Sequence, residues 1–130
     1  MINPEVSFIV PLFNHLDYSK AMLATLRATL PTGLAHEIIL VNDASTDNTR
    51  QWLANLTVPG LRVVHNDSNM GFARAVNAGV AHAKGKVLAL LNNDLLLTPG
   101  WLEPMLDVIH NPWLHAGVVG NVQRRVADGS

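Results

Sequence analysis

Two apolar runs in this chain end in acids. Val87-Leu88-Ala89-Leu90-Leu91 passes directly into Asn92-Asn93-Asp94 before Leu95-Leu96-Leu97 resumes, and Ile38-Ile39-Leu40-Val41 passes into Asn42-Asp43-Ala44-Ser45-Thr46-Asp47. Apolar residues flanking so short a polar stretch suggest a buried strand whose carboxyl end delivers a carboxylate and two amides, Asn92 and Asn93, to one point. In open α/β sheets ligands bind at that end of the strands. A hard divalent cation such as Mg²⁺ takes one or two protein carboxylates and fills its shell with phosphate oxygens and water, so Asp94 with a diphosphate satisfies that chemistry. An ionised Asp43 accepts hydrogen bonds only, which suits an imide N–H of uracil or thymine, or a ribose hydroxyl. For both acids the alternative is helix capping, although Ser45 or Asp47 is as good a cap and frees Asp43.

A third segment, Asn69-Met70-Gly71-Phe72-Ala73-Arg74-Ala75-Val76-Asn77-Ala78-Gly79, puts Asn69, Gly71 and unpaired amides at a helix start, where an anionic group is favoured. Arg74, the only cation in that stretch, and Asn77 lie on neighbouring positions of one helical face. Arg74 could neutralise a phosphate, pair with Asp43 or Asp94, or form a plain surface ion pair.

Short apolar runs alternating with amphipathic segments predict βαβ units around a mostly parallel sheet with helices on both faces, a Rossmann-like α/β fold. Strands are expected at Val6 to Leu12, Glu37 to Val41, Leu61 to His65, Val87 to Leu91 and Ala116 to Val122. The first helix is expected from an N-cap at Asp17 to about Leu30, with Met22, Leu23, Leu26 and Leu30 on one face. A second, capped by Ser45 or Thr46, should reach about Leu56 and turn Trp52, Leu53 and Leu56 to the sheet. A third should run from Gly71 to Ala83, its alanines and glycine permitting close approach, and a fourth from Pro99 to about Ile109. No helix covers the last strand, so the whole of residues 1–130 reads as one domain that is the N-terminal part of something longer. The open strand and apolar patches around Trp101 and Trp113 would favour self-association.

The formal charge of −1 and 48% hydrophobic content give no bulk attraction to nucleic acid and provide for a real core. Without cysteine there is no disulfide or thiolate chemistry. No stretch is apolar enough to span a membrane, and the run at Val6 to Val10 is too short for a signal peptide. Gly79 to Lys86 lacks the Ser or Thr of a phosphate loop, no Gly-x-Gly-x-x-Gly follows the first strand, and the six histidines lack zinc-ligand spacing.

Four segments in order, Val6 to Asn14, Glu37 to Asp47, Asn69 to Gly79 and Leu90 to Asp94, make the chain resemble the family-two glycosyltransferases over almost its whole length. The resemblance implies a GT-A type nucleotide-diphosphosugar transferase fold, truncated here, and inverting transfer from a UDP- or dTDP-sugar to a saccharide or lipid-linked acceptor. It implies that Pro11, Phe13 and Asn14 border the nucleotide, that Asp43 hydrogen-bonds the base, and that Arg74 lies near base or diphosphate. Asp94 matches the last residue of the metal-binding Asp-x-Asp-type motif, for Mn²⁺ or Mg²⁺. Asn92 departs from that motif's first aspartate, as in similar bacterial rhamnosyl and related transferases of cell-surface polysaccharides, so metal binding should need the diphosphate. The family's general base normally lies well downstream, and Glu103, Asp107 and Asp128 sit in no such motif. The resemblance thus implies a donor-binding half with its base expected beyond Ser130, inactive alone, in the cytoplasm or peripherally at the inner face of the membrane. A sugar-phosphate nucleotidylyltransferase is the alternative of the same fold, but Pro11-Leu12-Phe13-Asn14-His15 is not its glycine-rich basic loop. A non-catalytic binding or assembly module, in which both acids only cap helices, is the other.

Overall fold

The computed structural model describes residues 3–121. Its elements run β1 (Val6–Leu12), α1 (Leu16–Thr29), β2 (His36–Asn42), α2 (Thr49–Ala54), β3 (Leu61–His65), α3 (Phe72–Val80), β4 (Val87–Leu90) and α4 (Glu103–His110). The sheet is wholly parallel in the order β3-β2-β1-β4. β1 lies between two strands and two helical layers, so all seven of its residues are buried and the usual alternation disappears. Its two faces still differ in what they touch. Phe8, Val10 and Leu12 join Ile38, Leu40, Met22, Leu26, Leu53 and Leu102 in a core beneath α1, α2 and α4. Ile9 joins Ile39 and Val41 against Ala75 and Val76 of α3. Helices therefore cover both faces, as the sequence predicts.

The small residues of α3 have a definite use. A Cβ built on Gly79 would lie 2.6 Å from Ile9 Cγ2 and 2.9 Å from Val41 Cγ2, so only glycine lets the helix seat so low on the sheet.

Several boundaries differ from the sequence expectation. Asn14 and His15 both take left-handed φ (54° and 51°), so α1 begins at Leu16 with Asp17 in its first turn and not at the cap. α2 starts at Thr49, whose amide bonds to Asp47 Oδ1 at 3.0 Å, because Ser45 and Thr46 are engaged with Asn14; it ends at Ala54, short of Leu56. α3 stops at Val80. Pro99 sits in a turn with Gly100 at φ 83°, and Pro104 is the proline at the start of α4.

Two larger corrections concern the β4 side. β4 has β1 as its only strand neighbour among the described residues, and Leu88 and Leu90 are about half exposed, so it is an edge strand and not a buried one. The expected fifth strand is not formed over residues 116–121, and Val122 lies outside the described residues. Gly117 and Gly120 interrupt its apolar run, and Gly117 to Val119 line a groove with β4 and α4 in place of pairing along an edge. Trp101 is also no surface patch: it packs on Phe8 at 6.2 Å between ring centroids and donates from Nε1 to Thr29 at 2.8 Å. Trp113 is exposed.

Candidate functional site

The chain runs β1, β2, β3 in one direction across the sheet and then crosses back to place β4 on the other side of β1. That reversal leaves a crevice at the carboxyl ends of the strands where no loop crosses. A cleft of about 290 Å³ lies there, lined by Pro11, Leu12 and Phe13 after β1, Asp43 after β2, Asn69, Gly71, Phe72 and Ala75 around the start of α3, and Asn92, Asn93 and Asp94 after β4. Eight of the ten residues singled out from the sequence therefore meet in one place. Asn14 and Arg74 are not among those lining it.

Asp43 is 3% exposed and is held by three donors. Its Oδ1 accepts from Asn66 Nδ2 (3.0 Å) and the Met70 amide (2.9 Å), and its Oδ2 from the Gly71 amide (3.0 Å). Asp43 makes no bond to the start of α2, where the capping alternative put it; it holds the Met70 and Gly71 amides on the approach to α3 instead. Gly71 makes this geometry possible, since φ 85° and ψ 166° are open to glycine alone. Asp43 Oδ2 keeps one acceptor site for a donor entering from the cleft.

Asn14 acts as a clamp. Its Oδ1 accepts from the amides of Thr46 (2.7 Å) and Asp47 (3.2 Å), and its own amide donates to Ser45 Oγ (3.0 Å). The loop after β2 is thereby fastened to the end of β1. Left-handed φ at Asn14, His15 and Ala44 marks the same two strand ends. Asn42, fully buried, accepts the Ser45 amide at 3.1 Å and pairs through Nδ2 with His65 Nδ1 at 3.1 Å. Burial, with the charge of Arg50, lowers the His65 pKa, which keeps that ring neutral as a partner for the amide.

Asn92-Asn93-Asp94 divides. Asn93 turns inward and donates from Nδ2 to Ser19 Oγ at 3.1 Å, with a longer contact of 3.5 Å to the Asn14 carbonyl. Asn92 and Asp94 are exposed at the cleft, and neither side chain is hydrogen-bonded among the described residues. Arg74 is exposed on α3 and forms no ion pair among the described residues.

The described residues hold no group of three or more His, Cys, Asp or Glu side chains suited to a cation. One carboxylate and one amide oxygen at the cleft do fit a hard divalent ion that is shared with a diphosphate, the ordinary arrangement when phosphate oxygens complete the shell. Phe72, Ala75 and Leu12 were not foreseen as lining; only the small size of Ala75 gave any sign in the sequence. Ser19, Asn66 and the Met70 amide act across 23 to 74 residues of chain, and nothing local reveals them.

The family model for "Glycosyl transferase family 2" matches residues 7–129. The chain is 32% identical over 104 residues to the succinoglycan biosynthesis protein ExoO of Rhizobium meliloti, covering 80% of this chain and 29% of that protein. It is 34% identical over 109 residues to dodecaprenyl-phosphate galacturonate synthase of Rhizobium johnstonii, covering 79% and 32%. Among solved structures it resembles the mannosyltransferase PcManGT of Pyrobaculum calidifontis in complex with GDP-Man and Mn²⁺, at TM-score 0.74, 25% identity and coverage of 86% and 34%. S. aureus TarS in complex with UDP gives TM-score 0.68, 25% identity and coverage of 81% and 32%. The chain spans about a third of the length of these proteins. No helix among the described residues is long and apolar enough to cross a membrane.

Proposed function

The chain belongs to glycosyl transferase family 2, and from that premise we propose that its residues form the donor-binding part of an inverting enzyme. The transfer moves a sugar from a nucleoside diphosphate to an acceptor hydroxyl, in the synthesis of a polysaccharide or a lipid-linked glycan. The observation that carries this reading is the meeting of Asp43 and Asp94 in one cleft at the switch point of the sheet, the first fixed and the second free.

In this reading the base lies towards Asp43, whose remaining Oδ2 lone pair accepts an imide or amide N–H of the base. Pro11 and Phe13 supply apolar surface beside it. The diphosphate extends towards Asn92 and Asp94. A divalent cation, when bound, supplies Lewis-acid stabilisation of the departing diphosphate charge. Asp94 binds it from the protein side and Asn92 adds a neutral oxygen. Among the described residues Asp43 and Asp94 are the acids lining the cleft, and both have these other tasks, so in this reading the base that takes the acceptor's proton comes from elsewhere in the enzyme. The solved neighbours in complex with GDP-Man and Mn²⁺ and with UDP support the donor class, and the relatives named for succinoglycan biosynthesis and as a dodecaprenyl-phosphate galacturonate synthase support the product class.

Thermal denaturation with UDP, dTDP or GDP, each with and without Mn²⁺, tests the proposal. At about a hundred times the dissociation constant, the correct nucleotide with metal should add roughly 2.7 kcal/mol to stability. No shift with any of the three, metal present, would sink it.

A further inference from the structure

We infer that Asn93 and Ser19 form a positioning pair that directs Asn92 and Asp94 into the cleft; the inference rests on the donor-site reading above. The ladder of β4 ends at Leu90, so the backbone carrying the three polar residues is not set by sheet pairing beyond the Leu91 amide bond to Ile9. What holds it is a row of hydroxyls on α1. Asn93 Nδ2 donates to Ser19 Oγ at 3.1 Å, the Leu97 amide to Thr25 Oγ1 at 3.0 Å, and Trp101 Nε1 to Thr29 Oγ1 at 2.8 Å. Thr25 and Thr29 donate in turn to the helix carbonyls of Met22 (3.0 Å) and Thr25 (2.8 Å), so each hydroxyl is oriented to accept from the segment.

Along the same stretch Leu91, Leu95, Leu97 and Leu102 pack into the core. Only the first tie lies inside the motif. Asn93 and Asp94 lie in a turn in which Asn93 is half-buried between exposed Asn92 and Asp94, so holding Asn93 inward leaves both neighbours at the cleft. Ser19 is fully buried, and among the described residues Asn93 is the partner its hydroxyl finds. Loss of that partner leaves a buried polar group unmatched and the carboxylate on an unpinned backbone. With only one carboxylate at hand, its direction decides how well a shared cation is held.

The test is the ratio of nucleoside diphosphate dissociation constants without and with Mn²⁺, by titration calorimetry, using whichever of UDP, dTDP or GDP binds the unaltered chain. Asn93→Ala should shrink that ratio by about tenfold or more, the usual cost of removing a group that orients a metal ligand. Ser19→Ala, nearly isosteric and compatible with the helix, should shrink it in the same direction, and the double variant should be no worse than Asn93→Ala. Trp101→Phe, which cuts the far tie, should lower Tm and leave the ratio intact. A ratio within about twofold of the unaltered chain for both Asn93→Ala and Ser19→Ala overturns the positioning role, as does an equal loss in Trp101→Phe. Failure of the unaltered chain to bind any of the three nucleotides with metal overturns the donor-site reading itself, and the inference with it.

Discussion

Asp43 and Asp94 follow apolar runs of the same kind, yet one is 3% exposed with three donors on its carboxylate and the other is exposed with none among the described residues. Their strands explain the difference. β2 is flanked by β1 and β3, and the loop after β3 folds over its end, so the carboxylate there meets amides of the next helix start. β4 has one neighbouring strand among the described residues, and Asn92 and Asp94 beyond its end are exposed. A carboxylate in the first setting is structural before it is anything else, whereas one in the second is available to a ligand.

The largest expected effect breaks the fixed side of this comparison. Asp43→Ala removes a buried charged acceptor from three donors, two of them the main-chain amides of Met70 and Gly71, and hydrogen bonds to a charged group contribute about 1.5–3 kcal/mol each with incomplete additivity. A loss of about 3 kcal/mol or more in urea-induced unfolding is expected. A loss below about 1 kcal/mol, the ordinary value of a simple cap, would show that the three contacts do not hold α3 in solution. This separates the two acids, which in the sequence look alike as carboxylates that follow apolar runs.

Asp94→Ala is the complementary experiment. With no partner to strand, its effect on stability should stay within about 0.5 kcal/mol. Nucleoside diphosphate affinity in Mn²⁺ should fall by about a hundredfold, or about 2.7 kcal/mol, while metal-free affinity stays level. If metal-free binding falls equally, the carboxylate touches nucleotide and not cation.

Much of this contrast lay beyond reach of the sequence for a physical reason. The four strands of the sheet were legible because their apolar runs are short and bounded by turn residues, and parallel βαβ order followed from their spacing. The acids were legible as site candidates because polar residues after such runs are conspicuous. Their fates were not, because Asp43 finds Asn66, Met70 and Gly71 through the parallel pairing of β2 with β3, and Asn93 finds Ser19 across 74 residues. The starts of α1 and α2 differ from the expected Asp17 and Ser45 for a related reason: Asn14 takes the residues that would otherwise cap α2, and its own left-handed turn brings α1 forward. Local propensity loses wherever one loop is tied to another.

The same comparison can be sharpened through α3, whose start Asp43 holds and whose far end Gly79 seats. Gly79→Ala would put a methyl 2.6 Å from Ile9 Cγ2 and 2.9 Å from Val41 Cγ2, branched side chains fixed in the sheet. Over-packing of that sort costs about 1–3 kcal/mol. Although Ile9 pairs with Leu90, the strain falls on the face of the sheet packed against α3, so metal-dependent affinity should change less than stability does. A stable Gly79→Ala variant, within about 0.5 kcal/mol, would mean that α3 lifts off the sheet freely and that Asp43 carries less of its docking than the contacts suggest.

The smallest effect comes from a third acid, at the opposite end of β2 from Asp43. Glu37 Oε2 accepts from Ser7 Oγ and from the Lys84 amide, each at 2.6 Å, and Ser7 Oγ in turn accepts the Gly85 amide at 2.8 Å. Burial pushes the Glu37 pKa up, but the Ser7 and Lys84 hydrogen bonds and the charges of Arg62 and Lys84 outweigh it and leave the group below its ordinary 4.5. A carboxyl more acidic folded than unfolded stabilises the fold above the unfolded value and loses that contribution as pH falls through the folded one. Glu37→Gln should therefore cost less than about 1 kcal/mol near pH 7, and its deficit should close as the pH drops below about 4.5. Urea midpoints for both chains between pH 7 and about pH 3 measure this. Glu37 lies at the amino end of its strand, away from the cleft, so nucleotide affinity at neutral pH should be untouched. A deficit that persists or widens in acid would place its stabilisation in packing and not in charge, and an accompanying loss of nucleotide affinity would show that the two ends of β2 are not independent.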